Sequence, residues 1–190
     1  MKYNGVSPAA SVLGRMLAEA LVPLHAAFGQ EKILIIPVPL YKGKRRKRGF
    51  NQAELITRAA LKASTLRDRF EFAPNLLVRT RETHSQIGLT SHQRRENLRG
   101  AFAVPRAPEV TGREVLLVDD VYTTGTTVSE CSRVLRRAGA SRVWVATVAR
   151  TQKLASKYVE IEGFKASTFQ GFNENGELAE NLETLKTLKR

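Results

Sequence analysis

Four consecutive apolar residues, Val115, Leu116, Leu117 and Val118, run straight into the paired carboxylates of Asp119 and Asp120. An unbroken apolar run of this length reads as a strand buried on both faces, which requires helices on both sides of a mostly parallel sheet. After Val121 and Tyr122 comes Thr123-Thr124-Gly125-Thr126-Thr127, a loop of small residues with one glycine. From Thr127 onward Val128, Cys131, Leu135 and Ala138 recur at helical spacing, and Gly139 stops the helix. Strand, loop and helix in that order put the loop at the carboxyl end of the strand, where open α/β sheets bind their ligands.

The rest of the chain repeats this alternation. Ser7 and Pro8 are a helix start, with Ser able to cap and Pro tolerated in the first turn. Ala9, Val12, Leu13, Met16, Leu17, Ala20 and Leu21 then keep helical spacing, and Pro23 ends or kinks the helix. Residues 33–36 are all apolar and read as a buried strand entering the stiff turn Pro37-Val38-Pro39. Leu55, Ile56, Ala59, Ala60 and Ala63 mark a second amphipathic helix. Residues 76–78, 101–104 and 143–148 are further strand candidates. Residues 80–91 read as a mobile loop, and Thr90 with Gln93 forms a capping box for a helix over 91–98. The expected fold is one α/β domain over residues 1–150, a mostly parallel sheet flanked by helices. Residues 151–190 read as a C-terminal extension. It has a weak strand signal at 158–161, a turn at 173–176 and a final amphipathic helix on Leu178, Leu182, Leu185 and Leu188.

Apolar residues make up 42% of the chain and charged residues 26%, enough for one real core, so global disorder is excluded. No stretch approaches the ~20 apolar residues of a membrane span, and the N-terminal region lacks the apolar core of a signal peptide. The expectation is a cytoplasmic protein. Cys131 is the single cysteine, which rules out an intrachain disulfide or a cysteine-rich zinc cluster. It reads as a small core residue. The three histidines are too scattered to form a metal site of their own.

The net charge is +13, and its distribution is uneven. Residues 151–190 carry six basic and six acidic side chains, so the whole excess lies before them. Lys42, Lys44, Arg45, Arg46, Lys47 and Arg48 fill six of seven consecutive positions. Such a run is either a solvated loop or a surface for polyanions, whether nucleic acid or pyrophosphate. Phe50, beside it, either stacks on a base or anchors the next helix in the core.

The chemistry of the 119–127 segment is specific. Loop and helix start offer unpaired backbone N–H groups and the positive end of the helix dipole. Four threonine hydroxyls add donors, and Gly125 lets the backbone close around an anion. That is a cradle for a phosphate. The carboxylates of Asp119 and Asp120 would repel a phosphate, and make sense as acceptors for vicinal sugar hydroxyls. A phosphate beside a diol is a ribose 5-phosphate. A strand ending in acids also occurs as a plain helix cap or a Walker B strand, but no Walker A loop stands anywhere in the chain.

Residues 119–127 resemble the phosphoribosyl pyrophosphate (PRPP) motif of type I phosphoribosyltransferases. Pro37-Val38-Pro39-Leu40 followed by Arg48-Gly49-Phe50-Asn51-Gln52 resembles the ComF/GntX family. So does Arg79-Thr80-Arg81 followed by Gln86, Arg94, Asn97, Ala101 and Phe102. The resemblance covers about residues 31–149. It implies the type I phosphoribosyltransferase fold with a mobile hood. Asp119 and Asp120 would hold the ribose hydroxyls, and Thr123, Thr124, Gly125, Thr126 and Thr127 the 5-phosphate. Val38, Pro39 and Leu40 would lie against the pyrophosphate. Arg81, His84, Gln86 and Arg94 would belong to the hood, with Asp119, Asp120 and Arg81 the catalytic candidates.

The resemblance further implies magnesium (Mg2+) bound with PRPP and transfer of ribose 5-phosphate to an acceptor through an oxocarbenium-like sugar, with the closed hood excluding water. It links the chain to DNA uptake in natural competence. The implied partners are single- or double-stranded DNA, a DNA-uptake ATPase and a second copy in a homodimer. A non-catalytic module, sensing PRPP or nucleotides or binding DNA with the same fold, is the competing reading. Family members commonly begin with a cysteine zinc-binding segment, and Met1 to Gly5 resembles the stretch just after that segment. A shorter member, a truncated chain and a late start are all consistent with that beginning.

Overall fold

The structure, a computed structural model, describes residues 8–83, 90–150, 170–172 and 178–179. Its centre is a six-stranded sheet. In chain order the strands used below are β1 (Ile33–Pro37), β2 (Phe70–Phe72), β3 (Val78–Arg79), β4 (Phe102–Ala103), β5 (Glu114–Tyr122), β6 (Arg142–Arg150), β7 (Gln170–Phe172) and β8 (Leu178–Ala179). The sheet order is β2-β1-β5-β6-β7-β8, parallel through β6 and antiparallel beyond it. Helices α1 (Pro8–Leu21) and α3 (Gln52–Ala63) cover one face. Helix α5 (Thr126–Arg137) covers the other.

Both faces being covered explains the unbroken apolar runs. Leu34, Ile36, Val115 and Leu117 pack with Val128, Cys131 and Leu135 on the α5 side. Ile33, Ile35, Leu116 and Val118 pack with Leu17, Leu21, Ile56 and Ala60 on the α1/α3 side. A strand alternates its side chains between faces, so a strand buried twice has no polar position to spare. Gly14 is where α1 and α3 come closest. A Cβ there would stand 2.8 Å from the Ala59 carbonyl carbon and the Ala60 nitrogen.

A smaller unit sits beside the α5 face. β3 and β4 pair antiparallel, and α4 (Ser91–Leu98) precedes β4. The Thr90 and Gln93 capping box is present in full, with the Gln93 N–H donating to Thr90 Oγ1 at 3.2 Å and the Thr90 N–H to Gln93 Oε1 at 2.9 Å. Leu76, Leu77, Leu98 and Phe102 bury this unit against the main core.

Several local expectations shift. β5 continues past Val118 through both aspartates to Tyr122, because β6 runs alongside and pairs Asp119 with Thr147 and Val121 with Ala149. The basic run is neither a loop nor extended. It forms helix α2 (Lys42–Arg48), closed by Gly49 at φ 82°. Residues 76–78 are mostly a buried approach to β3 rather than a strand, since the antiparallel pairing begins only where Val78 meets Ala103. β2 is too short to show periodicity and exists because β1 offers it a parallel edge. Leu178 stands in β8, paired antiparallel with Phe172, so the helix read from Leu178 does not begin there. An open sheet edge outweighed its helical spacing. Leu182, Leu185, Leu188 and the segments 158–161 and 173–176 lie outside the described residues.

Candidate functional site

β1 and β5 end side by side. The Val38 N–H donates to the Val118 carbonyl at 2.8 Å, so the turn of Val38, Pro39 and Leu40 leaves the sheet directly beside Asp119. Val38 and Pro39 are buried and Leu40 is half-buried. Asn51 holds this turn. Its side-chain amide donates to the Val38 carbonyl at 3.0 Å, while its side-chain oxygen accepts from the Ala53 N–H at 3.1 Å and caps α3. One buried residue thus ties the turn after β1 to the start of α3.

Asp119 and Asp120 follow each other on an extended strand, so alternation carries them to opposite faces of the sheet. Asp120 lines a cavity on the α1/α3 side, and Asp119 interacts with the Cys131 thiol of α5. Each anchors locally. The Asp120 N–H donates to Asp119 Oδ1 at 3.0 Å, and the Val121 N–H to Asp120 Oδ1 at 2.8 Å. Burial pushes the Asp119 carboxyl up to about 7, and the neighbouring Asp120 carboxylate adds to the rise. Burial, and then Asp119, push the Cys131 thiol well above its ordinary value, which leaves it an inert core residue.

The loop after β5 is shaped by Gly125. Its φ of 73° is the left-handed region, and a Cβ there would meet the Tyr122 ring 2.8 Å from Cζ. Gly125 is the N-cap of α5 and supplies no side chain, so no side-chain hydrogen bond caps the first turn. The Ser129 N–H donates to the Gly125 carbonyl at 2.9 Å, which starts the helix. Thr124 and Thr126 share a hydroxyl hydrogen bond at 2.8 Å. Thr126 is buried, Thr127 half-buried, and Thr123 and Thr124 are exposed. The arrangement presents uncapped backbone donors, hydroxyls and a helix dipole at one point, which suits an anion.

The remaining predicted residues are spread differently. Arg81 donates to the Asn97 carbonyl at 3.1 Å and to the Arg99 carbonyl at 2.8 Å, so its guanidinium rests on the carboxyl end of α4. Arg94 is half-buried on α4. His84 and Gln86 lie outside the described residues. In α2, Arg45 pairs with Glu54 at 3.2 Å and Arg48 stands 5.6 Å over the Phe50 ring, while Lys44, Arg46 and Lys47 are exposed.

Two residues matter here that the motifs alone do not single out. Asn51 lies within the Arg48-to-Gln52 block, and its position just before an amphipathic helix is the available signal. Arg79 is the other. Its guanidinium lies over the Phe102 ring at 5.5 Å and donates to the Thr83 hydroxyl. Burial lowers its pKa, and its Nε is buried with no partner among the described residues. The Arg79-Thr80-Arg81 motif contains it, but only the packing distinguishes the inward arginine from the outward one.

A hard divalent cation needs oxygen ligands. Among the described residues no group of three or more His, Cys, Asp or Glu side chains gathers to hold a metal. Magnesium commonly binds through one or two carboxylates plus phosphate oxygens of a substrate. The Asp119 and Asp120 carboxylates beside an anion cradle fit that mode and not a dedicated metal cage. Among the described residues no helix is long and apolar enough to cross a membrane.

Comparison with known proteins bears on this geometry. The phosphoribosyl transferase domain matches residues 59–181. Competence protein F of Haemophilus influenzae is 40% identical over 120 residues, 61% of this chain and 49% of its own length. DNA utilization protein YhgH of Escherichia coli is 35% identical over 152 residues, 80% of this chain and 64% of its own length. This chain therefore spans about half to two thirds of the curated relatives it matches. A hypoxanthine phosphoribosyltransferase structure from Staphylococcus aureus is 11% identical, with a TM-score of 0.48, over 80% of this chain and 70% of that one. A domain match over more than half of its length, on a mostly parallel sheet flanked by helices, makes this chain a member of the phosphoribosyl transferase domain family.

Proposed function

We propose that the protein binds PRPP with magnesium and transfers ribose 5-phosphate to an acceptor. The observation that carries this is the convergence of three features at one sheet end: the Asp119–Asp120 pair, the uncapped first turn of α5, and the turn after β1 bonded to Val118. The first turn of α5, with Thr126 and Thr127, would take the 5-phosphate. The two carboxylates would accept from the ribose hydroxyls. Val38, Pro39 and Leu40 would flank the pyrophosphate. Bound with PRPP, magnesium supplies charge neutralisation on the leaving pyrophosphate. The bond from the acceptor to C1 forms as the C1–O bond to pyrophosphate breaks, its electron pair leaving with pyrophosphate. The protein's share is positioning and electrostatics. Arg81 would join from the hood only after releasing its two α4 carbonyls.

Calorimetric titration of PRPP, with and without magnesium, tests the reading. Micromolar, magnesium-dependent binding is expected, lost in Asp119→Asn with Asp120→Asn. Unchanged affinity in that double variant would sink the assignment.

A second reading is favoured by α2. Its exposed Lys44, Arg46 and Lys47 form a basic surface on the helix that follows the turn of Val38, Pro39 and Leu40. The names of the curated relatives speak of competence and DNA utilization. In this reading the chain is a DNA-binding module that uses the same fold. Binding to a single- or double-stranded oligonucleotide should then weaken steeply with salt, and neutralising Arg46 and Lys47 should flatten that slope.

A further inference from the structure

Helix α2 is built almost wholly of cations and holds no acid. Lys42 and Arg46, and likewise Lys44 and Arg48, stand four residues apart, where like charges face each other and destabilise a helix. Lys42 and Lys44 also lie in its first turn, where the helix dipole disfavours cations. Among the described residues a single carboxylate answers this charge, that of Glu54, which takes Arg45 at 3.2 Å. Lys42, Lys44, Arg46 and Lys47 are exposed and pair with no carboxylate among the described residues. We propose that α2 is a regulatory surface, and that a chain of repeated phosphates bound to it lowers the affinity of the 119–127 site for PRPP. The proposal rests on the two readings above and joins them, making PRPP and the polyanion antagonists in place of independent ligands.

Three observations carry it. The first is that α2 is fastened beside the turn after β1. Asn51 bonds the Val38 carbonyl at 3.0 Å, so the segment that holds α2 leaves and returns at one point. The Arg45–Glu54 pair ties the middle of the helix to α3. The second is reach. Lys42 is two residues past Leu40, so their Cα atoms lie within about 8 Å of each other. The whole of α2 adds only about 10 Å. The screening length at physiological ionic strength is about 8 Å. The cations at the start of α2 therefore act on the turn expected to flank pyrophosphate, and their field favours the multiply charged PRPP. A polyanion on α2 cancels that field, and by linkage PRPP weakens the polyanion by the same factor. The third is the shape of the surface. Lys42, Arg45 and Arg46 share one face of the helix and line an open hollow of about 450 Å³. Pockets for small ligands have volumes of about 300–1,000 Å³ but are mostly apolar. A lining made only of Lys and Arg suits repeated phosphates instead, whether phosphodiesters or phosphoanhydrides.

The test titrates PRPP by calorimetry, alone and with a saturating single-stranded oligonucleotide or inorganic polyphosphate. Ionic strength and free magnesium are held constant, because both polymers bind magnesium. PRPP affinity is expected to fall about fivefold or more, and polymer affinity to fall by the same factor when PRPP saturates the protein. In Lys42→Ala with Arg46→Ala and Lys47→Ala the antagonism should disappear, and PRPP alone should bind less tightly and with a weaker dependence on salt. Gly125→Ala, which disturbs the PRPP loop, should bind the polymers like wild type. Loss of polymer binding in that variant would place the polymer in the PRPP site and overturn the proposal. So would a polymer that does not bind, or one that binds and leaves PRPP affinity unchanged; neither result touches the transferase reading. PRPP that fails to bind even without polymer would overturn the transferase reading and this proposal with it. Antagonism by the oligonucleotide alone makes nucleic acid the source of the phosphates, and antagonism by polyphosphate alone makes it that polymer; either supports the proposal.

Discussion

The side-chain amide of Asn51 donates to the Val38 carbonyl at 3.0 Å, across thirteen residues of chain that include the whole basic helix. The same side chain caps α3 through the Ala53 N–H at 3.1 Å. Removing it releases a buried carbonyl and an N-cap together. Asn51→Ala is expected to cost about 1–3 kcal/mol by urea denaturation. Asn51→Asp keeps the cap but has no donor for the Val38 carbonyl, so it should cost less stability and still weaken PRPP binding. A PRPP affinity in Asn51→Asp equal to that of wild type would show that the Val38 contact is not what orders the turn.

Gly125 is expected to tolerate no side chain. Alanine there combines a left-handed φ of 73° with a Cβ 2.8 Å from Tyr122 Cζ. The loop must shift, and with it the first turn of α5. PRPP affinity should fall about tenfold or more. Relieving the clash in Gly125→Ala with Tyr122→Ala should recover part of it, because the backbone strain remains. Calorimetry on the single and double variants measures the difference.

Asp119 makes stability depend on pH in a particular direction. Its carboxyl is pushed from an ordinary 3.8 to about 7 by burial and by Asp120. Between those values the folded chain holds a proton that the unfolded chain has lost. This group therefore favours folding fully below about 3.8, and that contribution is lost as pH rises through about 7. Asp119→Asn should raise the urea midpoint at pH 8 relative to wild type, with the gain shrinking toward pH 4. PRPP binding should move the other way, since only the ionised carboxylate is a pure acceptor for a ribose hydroxyl. Affinity should climb through pH 7 in wild type more steeply than in the variant, a comparison that removes the titration of the PRPP phosphates themselves.

The α1/α3 crossing is a test of packing away from the carboxylates. Gly14→Ala places a Cβ 2.8 Å from the Ala60 nitrogen, against backbone that cannot rotate away. A loss of about 1–3 kcal/mol is expected from overpacking, read as a lower thermal midpoint. Because α1 and α3 pack on the sheet face opposite α5, the α5 loop should keep its PRPP affinity in this variant.

Much of the fold is legible in the chain itself. The runs at 33–36 and 115–118 announce strands covered on both faces, because only a doubly buried strand dispenses with polar positions. Thr90 with Gln93 announces α4, since a capping box is satisfied by local atoms alone. Asp119, Asp120 and the loop to Thr127 can be placed together because they are contiguous. Non-contiguous relations cannot. Phe70 to Phe72 became a strand only because β1 offered an edge, and Leu178 followed a sheet instead of its helical spacing. The neighbouring arginines of the 79–81 motif separate in the same way, Arg79 turned inward over Phe102 and Arg81 outward onto α4.

The sequence by itself determined the layered α/β class and the local chemistry of the 119–127 segment, because burial periodicity, capping and glycine conformation are properties of adjacent residues. Only the tertiary structure decided which distant groups share the sheet end with that segment. The Asn51 hold on Val38, the raised carboxyl of Asp119 and the cavity that Asp120 lines all depend on how α1, α3 and α5 pack on the sheet, and burial of that kind is a property of the assembled core, not of any stretch of chain.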